Sequence, residues 1–205
     1  VSKSLMADQQ NAIDQYIGAG KEALDTPVLL LDLDVLERNI LKMSKTIIGE
    51  AGVGWRPHTK AMKNPDLARL CLDAGAHGVT CAKLGEAEVM ADGGITDILV
   101  ANEVVGAKKI ARLVDLCTRA DVMVCVDQLD NAQQIDKAAR AAGVRPRVLV
   151  EVDVGMGRAG IQPGAAAVEL ASQVSGLGNI RFVGLQTWES HTVAISDTDE
   201  KNARF

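Results

Sequence analysis

Apolar β-like runs alternate with helix-patterned stretches along nearly the whole chain, and this alternation narrows the fold more than any other feature. Val28–Asp34, Val53–His58, Gly78–Ala82, Asp97–Asn102, Asp121–Val126, Arg147–Val154 and Ile180–Gln186 are rich in Val, Leu and Ile and read as strands. Helical spacing fills the intervals. It is clearest over Val35–Ile48, where Leu36, Ile40, Met43 and Ile47 share a face and Asp34 is a candidate N-cap. Further helices are expected over Pro65–Asp73, Leu84–Asp92, Ala107–Thr118, Asn131–Ala142 and Pro163–Ser175, with another beginning near Asp197 and a loose one over Asp8–Ala19. Short turns and almost continuously apolar strands are the pattern of a parallel sheet covered by helices. Two architectures satisfy it: a (β/α)8 barrel, or an open doubly wound parallel sheet complete as it stands.

Composition removes several function classes. A net charge of -5 and 2% aromatic residues do not suit a nucleic-acid surface, which needs basic stripes and stacking platforms. No apolar run reaches the length of a membrane span, and Val1–Lys21 lacks a basic-then-apolar leader pattern, so a cytoplasmic address is expected. Cys71, Cys81, Cys117 and Cys125 form no Cys-x-x-Cys pair and lie in apolar runs, as core residues do. No metal-ligand set is expected within the chain.

Chemistry concentrates at three strand ends. In the first, Arg56-Pro57-His58-Thr59-Lys60, His58 and Lys60 are two residues apart and share a face at the carboxyl end of a strand. α/β folds place their sites at that end. A strand-end lysine can simply be solvated. One that forms a Schiff base with an aldehyde cofactor must be neutral, and Arg56, His58 and Lys63 are the local charges that could favour this. The second is Gly155-Met156-Gly157-Arg158-Ala159-Gly160 after a strand, a literal Gly-x-Gly-x-x-Gly. A dinucleotide site would need the helix to open on these glycines and an acidic strand end about 20 residues on. Here the helix is expected only from Pro163, and the chain later reads Asn179-Ile180-Arg181. The third is Gly184-Leu185-Gln186-Thr187-Trp188-Glu189-Ser190-His191, where Glu189 and His191 are candidate general bases. Asn102, Glu103 and Asp127 end two other strands and could line the same mouth or cap helices.

These segments resemble the D-threonine aldolase and D-serine dehydratase family, fold type III pyridoxal phosphate enzymes on the alanine-racemase-type barrel. Arg-Pro-His-Thr-Lys is similar to the family's cofactor-lysine segment. Glu151–Gly160 is similar to its Val-Asp-x-Gly-x-Gly-Arg-x-Gly segment, and Gly184–Trp188 to a strand end lying under the pyridine ring. The resemblance spans about Thr26 to His191. It implies Lys60 as the lysine bonded to pyridoxal 5'-phosphate, Arg158 on the cofactor's phenolic oxygen and Gln186 facing the ring nitrogen. Trp188, in the segment under the ring, stands where relatives often carry Tyr. From their own chemistry and strand-end positions, His58 and Asn102 are expected to border the cofactor with it and His191 to be a catalytic base.

For the whole chain the resemblance implies a barrel domain over 26–205 after an N-terminal segment 1–25. About six of eight barrel units would be present, with a C-terminal β domain absent from this chain. Any divalent metal would then be held by residues beyond it, and the full-length protein would be a homodimer. The expected activity is cleavage of a D-β-hydroxy amino acid such as D-threonine or D-3-hydroxyaspartate to glycine and an aldehyde. D-serine-type elimination, racemisation and a non-catalytic cofactor carrier are the alternatives.

Overall fold

The computed structural model describes residues 14–204. The chain divides into two compact units between Asn39 and Ile40. In the first, residues 8–13 of the expected loose helix lie outside the described residues, and the chain from Asp14 makes turns closed by Ile17 N–H to Asp14 O and Ala19 N–H to Tyr16 O. A 3-10 turn follows at Lys21–Ala23. The expected strand Val28–Asp34 does not form. Val28, Leu29, Leu30 and Leu31 are exposed and unladdered, because an apolar run becomes a strand only where an adjacent edge takes up its N–H and C=O groups. Helix α1 instead begins early, at Leu33, and runs to Ser44. Its cap is Asp32, whose carboxylate accepts the Val35 N–H at 2.9 Å, so Asp34 lies in the first turn. A π-helical stretch, Lys45–Glu50, continues it.

The second unit is a strand–helix alternation. After α1 come α2 (Pro65–Asp73), β1 (Val79–Cys81), α3 (Leu84–Asp92), β2 (Asp97–Glu103), α4 (Ala107–Leu116) and β3 (Asp121–Val126). Then come α5 (Leu129–Ala142), β4 (Arg147–Val152), α6 (Ala165–Ser175), β5 (Arg181–Thr187) and α7 (Thr198–Asn202). Asn64 caps α2 by accepting from Asp66 and Leu67 N–H, ahead of Pro65 in the first helical turn. Pro163 is not the start of α6, which opens on Ala165 after Gly164.

All ladders are parallel and the strand order is β1-β2-β3-β4-β5. A doubly wound sheet reverses its order at a switch point. An unbroken sequential order winds one way, as a barrel does, so the open-sheet alternative is set aside.

The expected strand Val53–His58 is present only as a strand-like edge on β1. His77 N–H donates to Trp55 O, Thr80 N–H to Pro57 O and Thr59 N–H to Thr80 O. The steps are uneven, two residues on one side against three on the other, and Pro57 has no N–H. Only the His58–Thr80 bridge survives as regular pairing.

Two apolar clusters lie on opposite faces of the sheet. Between sheet and helices, Val79, Ile98, Val100, Val122, Val124, Val148 and Val150 pack on α-helical residues such as Met90, Leu113, Ile135 and Leu170. On the inner face a smaller layer joins Leu99, Met123, Cys125 and Leu149, with Ala101 against it. Below that layer, at the amino ends of the strands, Asp97 accepts from both Arg56 and Arg147. Asp121 lies 2.8 Å from Arg147 Nε, near enough to balance its charge though off the N–H direction. These ions fill the lower end of the inner face. The four cysteines are free thiols. Burial pushes Cys81 up to about 11 and Cys117 up to about 12, which makes them packing groups and not nucleophiles.

Candidate active site

At the carboxyl ends of the strands a cavity of about 590 Å³ opens within the second unit. Its wall includes Arg56, His58, Lys60, Asn102, Glu103, Glu151, Arg158, Gln186 and Trp188. Lys60, His58, Arg158, Gln186, Trp188 and Asn102, separated by up to 130 positions in sequence, are therefore brought to one chamber. The volume falls in the ~300–1,000 Å³ range of small-molecule sites.

Each side chain is held by a local cause. Lys60 follows the edge segment where Thr59 plugs into the core: Thr59 is fully buried and its hydroxyl donates to Thr80 O at 3.1 Å. That anchor turns the chain so that Lys60 N–H reaches His58 Nδ1 at 3.3 Å and the Lys60 ammonium lies 5.5 Å from the Trp188 ring centroid. Burial, then the Lys60 charge, hold His58 below its ordinary pKa, so near neutrality its ring is an uncharged acceptor. Asn102 bridges two strand ends, donating to Ala82 O at 3.0 Å. Gln186 donates to Thr187 O at 2.9 Å.

The charges expected to surround Lys60 are largely committed elsewhere. Arg56 is tied to Asp97 at 3.0 Å, and Lys63, with φ of 45°, turns towards Glu86 at 3.7 Å. Arg158 has no ion-pair partner among the described residues. It and Lys60 are the cations available to an anionic ligand.

The glycine-rich turn is not a phosphate cradle. Asp153 accepts the N–H groups of Gly155 and Gly157, both at 3.0 Å, and these bonds hold its carboxyl below the usual range. The Gly160 N–H goes to Asp127 at 3.2 Å, so Asp127 ties the turn to β3 and caps no helix. At Gly160 (φ 104°) a Cβ would lie 2.6 Å from Asp153 N. The turn's donors are thus used to shape the loop that delivers Arg158, and the dinucleotide reading loses its chemical basis.

His191 is not in the cavity wall. It sits in the 3-10 turn Ser190–Thr192 with its ring against Gly155 and its Nδ1 buried without a partner among the described residues. Glu189 is engaged by the Thr192 hydroxyl at 2.5 Å. Two wall residues were given no site role, or only an ambiguous one, by the sequence. Glu151 lies in the quoted motif, and Glu103 was equally readable as a cap. Their proximity depends on strand register, which no local pattern carries.

An inner-face cavity above a singly wound parallel sheet, with a lysine at the first strand end and a free arginine four strands on, defines a barrel-type small-molecule site. The chain belongs to the family described as alanine racemase, N-terminal domain, whose model matches residues 31–205. It is 42% identical over 165 residues to a D-threonine aldolase from Arthrobacter sp, covering 80% of this chain and 43% of that protein. It is 38% identical over 190 residues to a 3-hydroxy-D-aspartate aldolase from Paracoccus denitrificans (strain Pd 1222), covering 92% of this chain and 49% of that relative. Among solved structures, D-threonine aldolase from Filomicrobium marinum superposes with a TM-score of 0.84 at 43% identity, over 88% of this chain and 48% of that one. The chain spans about half the length of the relatives it matches.

Proposed function

We propose that this chain carries the lysine-bearing part of a pyridoxal-phosphate-dependent lyase that cleaves D-β-hydroxy amino acids to glycine and an aldehyde. The observation that carries the reading is the convergence of Lys60, His58, Arg158, Gln186 and Trp188 on one cavity, together with the similarity to two aldolases of that substrate class. The donor set suits the cofactor: a reachable primary amine, an unpaired guanidinium for a phenolic oxygen, a neutral amide for a ring nitrogen and an aromatic wall. When bound, pyridoxal phosphate supplies an aldehyde for amine exchange and a ring that accepts electrons from the substrate.

The Lys60 amine would be the nucleophile that holds the cofactor. Arg158 donates charge-assisted hydrogen bonds, which hold an oxyanion more firmly than neutral donors do. Gln186 offers no charge, so it does not enforce protonation of a facing nitrogen. His58 accepts the Lys60 backbone N–H and fixes the turn. The base for the β-hydroxyl proton in this reading is His191. With its ring against Gly155, it acts in this arrangement as a clamp on the glycine turn, and service as a base requires the 188–192 turn to reseat.

The test is to add pyridoxal phosphate to the chain, reduce with borohydride and map the modified residue, then assay a D-amino-acid panel on the protein. Labelling at Lys60, with glycine released from D-threonine or D-3-hydroxyaspartate, is the expected result. Labelling spread over surface lysines, absent at Lys60, overturns it. Elimination or racemisation without glycine release would move the protein to the dehydratase or racemase branch.

A further inference from the structure

Two carboxyl groups stand together on the inner face of the sheet, and neither has been given a task. Between Val100 and Glu103, β2 advances three residues while β3 advances one, from Val124 to Cys125. This bulge sets Glu103 opposite Cys125, which faces inward with Leu149. Glu151 is two residues beyond Leu149 on the same face of β4, beside Gln186 of β5. The Glu151 charge acts on Glu103, and both act on the Cys125 thiol between them. Glu151 is only 5% exposed, and one Glu103 oxygen, Oε1, is buried with no partner.

Both residues line the Lys60 cavity. Among the described residues neither makes an ion pair. The charged or titratable groups around them are Asp127 and the Cys125 thiol on the β3 side, Arg56, His58 and Lys60 along the edge segment, and Arg158 from the glycine turn; on its helix side Glu103 also borders a cavity holding Lys63, Lys83, Glu86, Lys109 and Arg112. Arg56 is neutralised by Asp97. Two neighbouring carboxylates with no ion-pair partner, mostly removed from water, disfavour carrying two negative charges at once.

Building on the proposed function, we propose that Glu103 and Glu151 work as one carboxyl pair holding a single proton, and that this pair determines the charge specificity of the Lys60 cavity. With one proton the pair carries one negative charge against Lys60 and Arg158, leaving the cavity receptive to an anionic ligand such as a phosphorylated aldehyde. Losing the proton adds a second negative charge to the wall and repels it. Burial and the neighbouring Glu151 raise Glu103 to about 7, which places that change near neutrality.

The experiment has two arms on the full chain. Carbon-detected NMR of glutamate side chains without ligand should show one carboxyl titrating near pH 7, and that signal should vanish in both Glu103→Gln and Glu151→Gln. In the second arm, pyridoxal phosphate affinity is measured at pH 6 and pH 8.5 in wild type and in each variant. Comparing the proteins at one pH cancels the ionisation of ligand and lysine. Because either Gln leaves one carboxylate, wild type should lose affinity relative to both variants by roughly tenfold between the two pH values. That is the size expected of one added charge several ångströms away in a partly solvated cavity. Absence of a near-neutral carboxyl titration overturns the pair. Equal pH dependence in wild type and variants, with the cofactor binding all three, overturns the specificity role alone. Failure of the cofactor to bind any of them overturns the cofactor reading and the charge role with it.

Discussion

The Lys60 ammonium rests 5.5 Å from the centre of the Trp188 ring, joining the turn after the first strand position to the end of β5. A cation over an indole face contributes about 0.5–1 kcal/mol at an exposed site, and Trp188 is 45% exposed. The indole therefore reports on the cavity, whereas Trp55, 7% exposed, does not. Adding pyridoxal phosphate should quench the exposed tryptophan and spare the buried one. Trp188→Phe should keep cofactor affinity within a few fold and lose the quenching. Quenching that persists in Trp188→Phe would place the cofactor near Trp55 and away from this cavity.

Arg158 is the free guanidinium of the wall, and its removal should weaken cofactor binding without unfolding the chain. A hydrogen bond to a charged group contributes roughly 1.5–3 kcal/mol, so Arg158→Ala should lower affinity by about tenfold to a hundredfold. Arg158→Lys should rescue little, because a point charge cannot reproduce the planar fork. An affinity unchanged in both variants would make Arg158 an ordinary turn residue, replaceable within about 0.5 kcal/mol.

The helices and the alternation of strand with helix were readable because their signals are local, whereas the winding of the sheet is decided by strand order. Asn64-Pro65 starts α2, and Gly143, left-handed at φ 67°, ends α5. The Lys60, Arg158 and Gln186 positions were readable because each closes a recognisable strand end. The run Val28–Leu31 misled because its apolar content is genuine but no strand partners it among the described residues. Val53–His58 fell short of a full strand for the opposite reason: the partner is present, but Pro57 and uneven steps interrupt the ladder. Glu103 and Glu151 could not be paired from sequence, since a bulge in β2 decides which residue faces Cys125.

The ionic closure beneath the cavity makes a stability prediction with a defined sign. Burial alone would raise the Asp97 carboxyl, but hydrogen bonds from Arg56 and Arg147 outweigh it and hold the folded pKa below the usual aspartate value. A lowered folded pKa contributes stability that is present above the unfolded pKa, near 4, and is lost as pH falls through the folded value. Asp97→Ala leaves two arginines, with side chains only 18% and 12% exposed, without their shared anion. It should cost roughly 3 kcal/mol at pH 7, the low side for a buried pair because Asp97 remains one-third exposed. Denaturation midpoints at pH 7 and pH 3 check this: the wild-type advantage should shrink at the lower pH.

Among the described residues β5 pairs only with β4, and its residues alternate between half-buried and exposed, with Val183 at 40% and Leu185 at 57%. An open parallel edge with apolar side chains recruits other strands. Residues 1–205 alone should therefore self-associate, and Leu185→Lys should shift the population towards monomer. Sedimentation across a concentration series measures it; a concentration-independent monomer would show the edge to be covered.

Gly155 and His191 form the other close pairing, one that decides whether His191 acts as clamp or as base. The glycine has φ of 122°, and a Cβ there would lie 2.9 Å from His191 Nε2 and 3.1 Å from Cε1. Ser190 reinforces the contact, its hydroxyl donating to Met156 Sδ at 3.1 Å. Gly155→Ala therefore combines two costs, about 1–3 kcal/mol of backbone strain and displacement of the imidazole. Only the second depends on His191. In a His191→Ala background the same glycine substitution should be less damaging to stability, giving a coupling of the 0.5–3 kcal/mol size found between contacting residues. Turnover separates the roles. If His191 only clamps, His191→Gln should retain most activity, and Gly155→Ala should reduce it by disturbing Arg158. If His191 reseats as the base, His191→Gln should abolish turnover, and stability should change little.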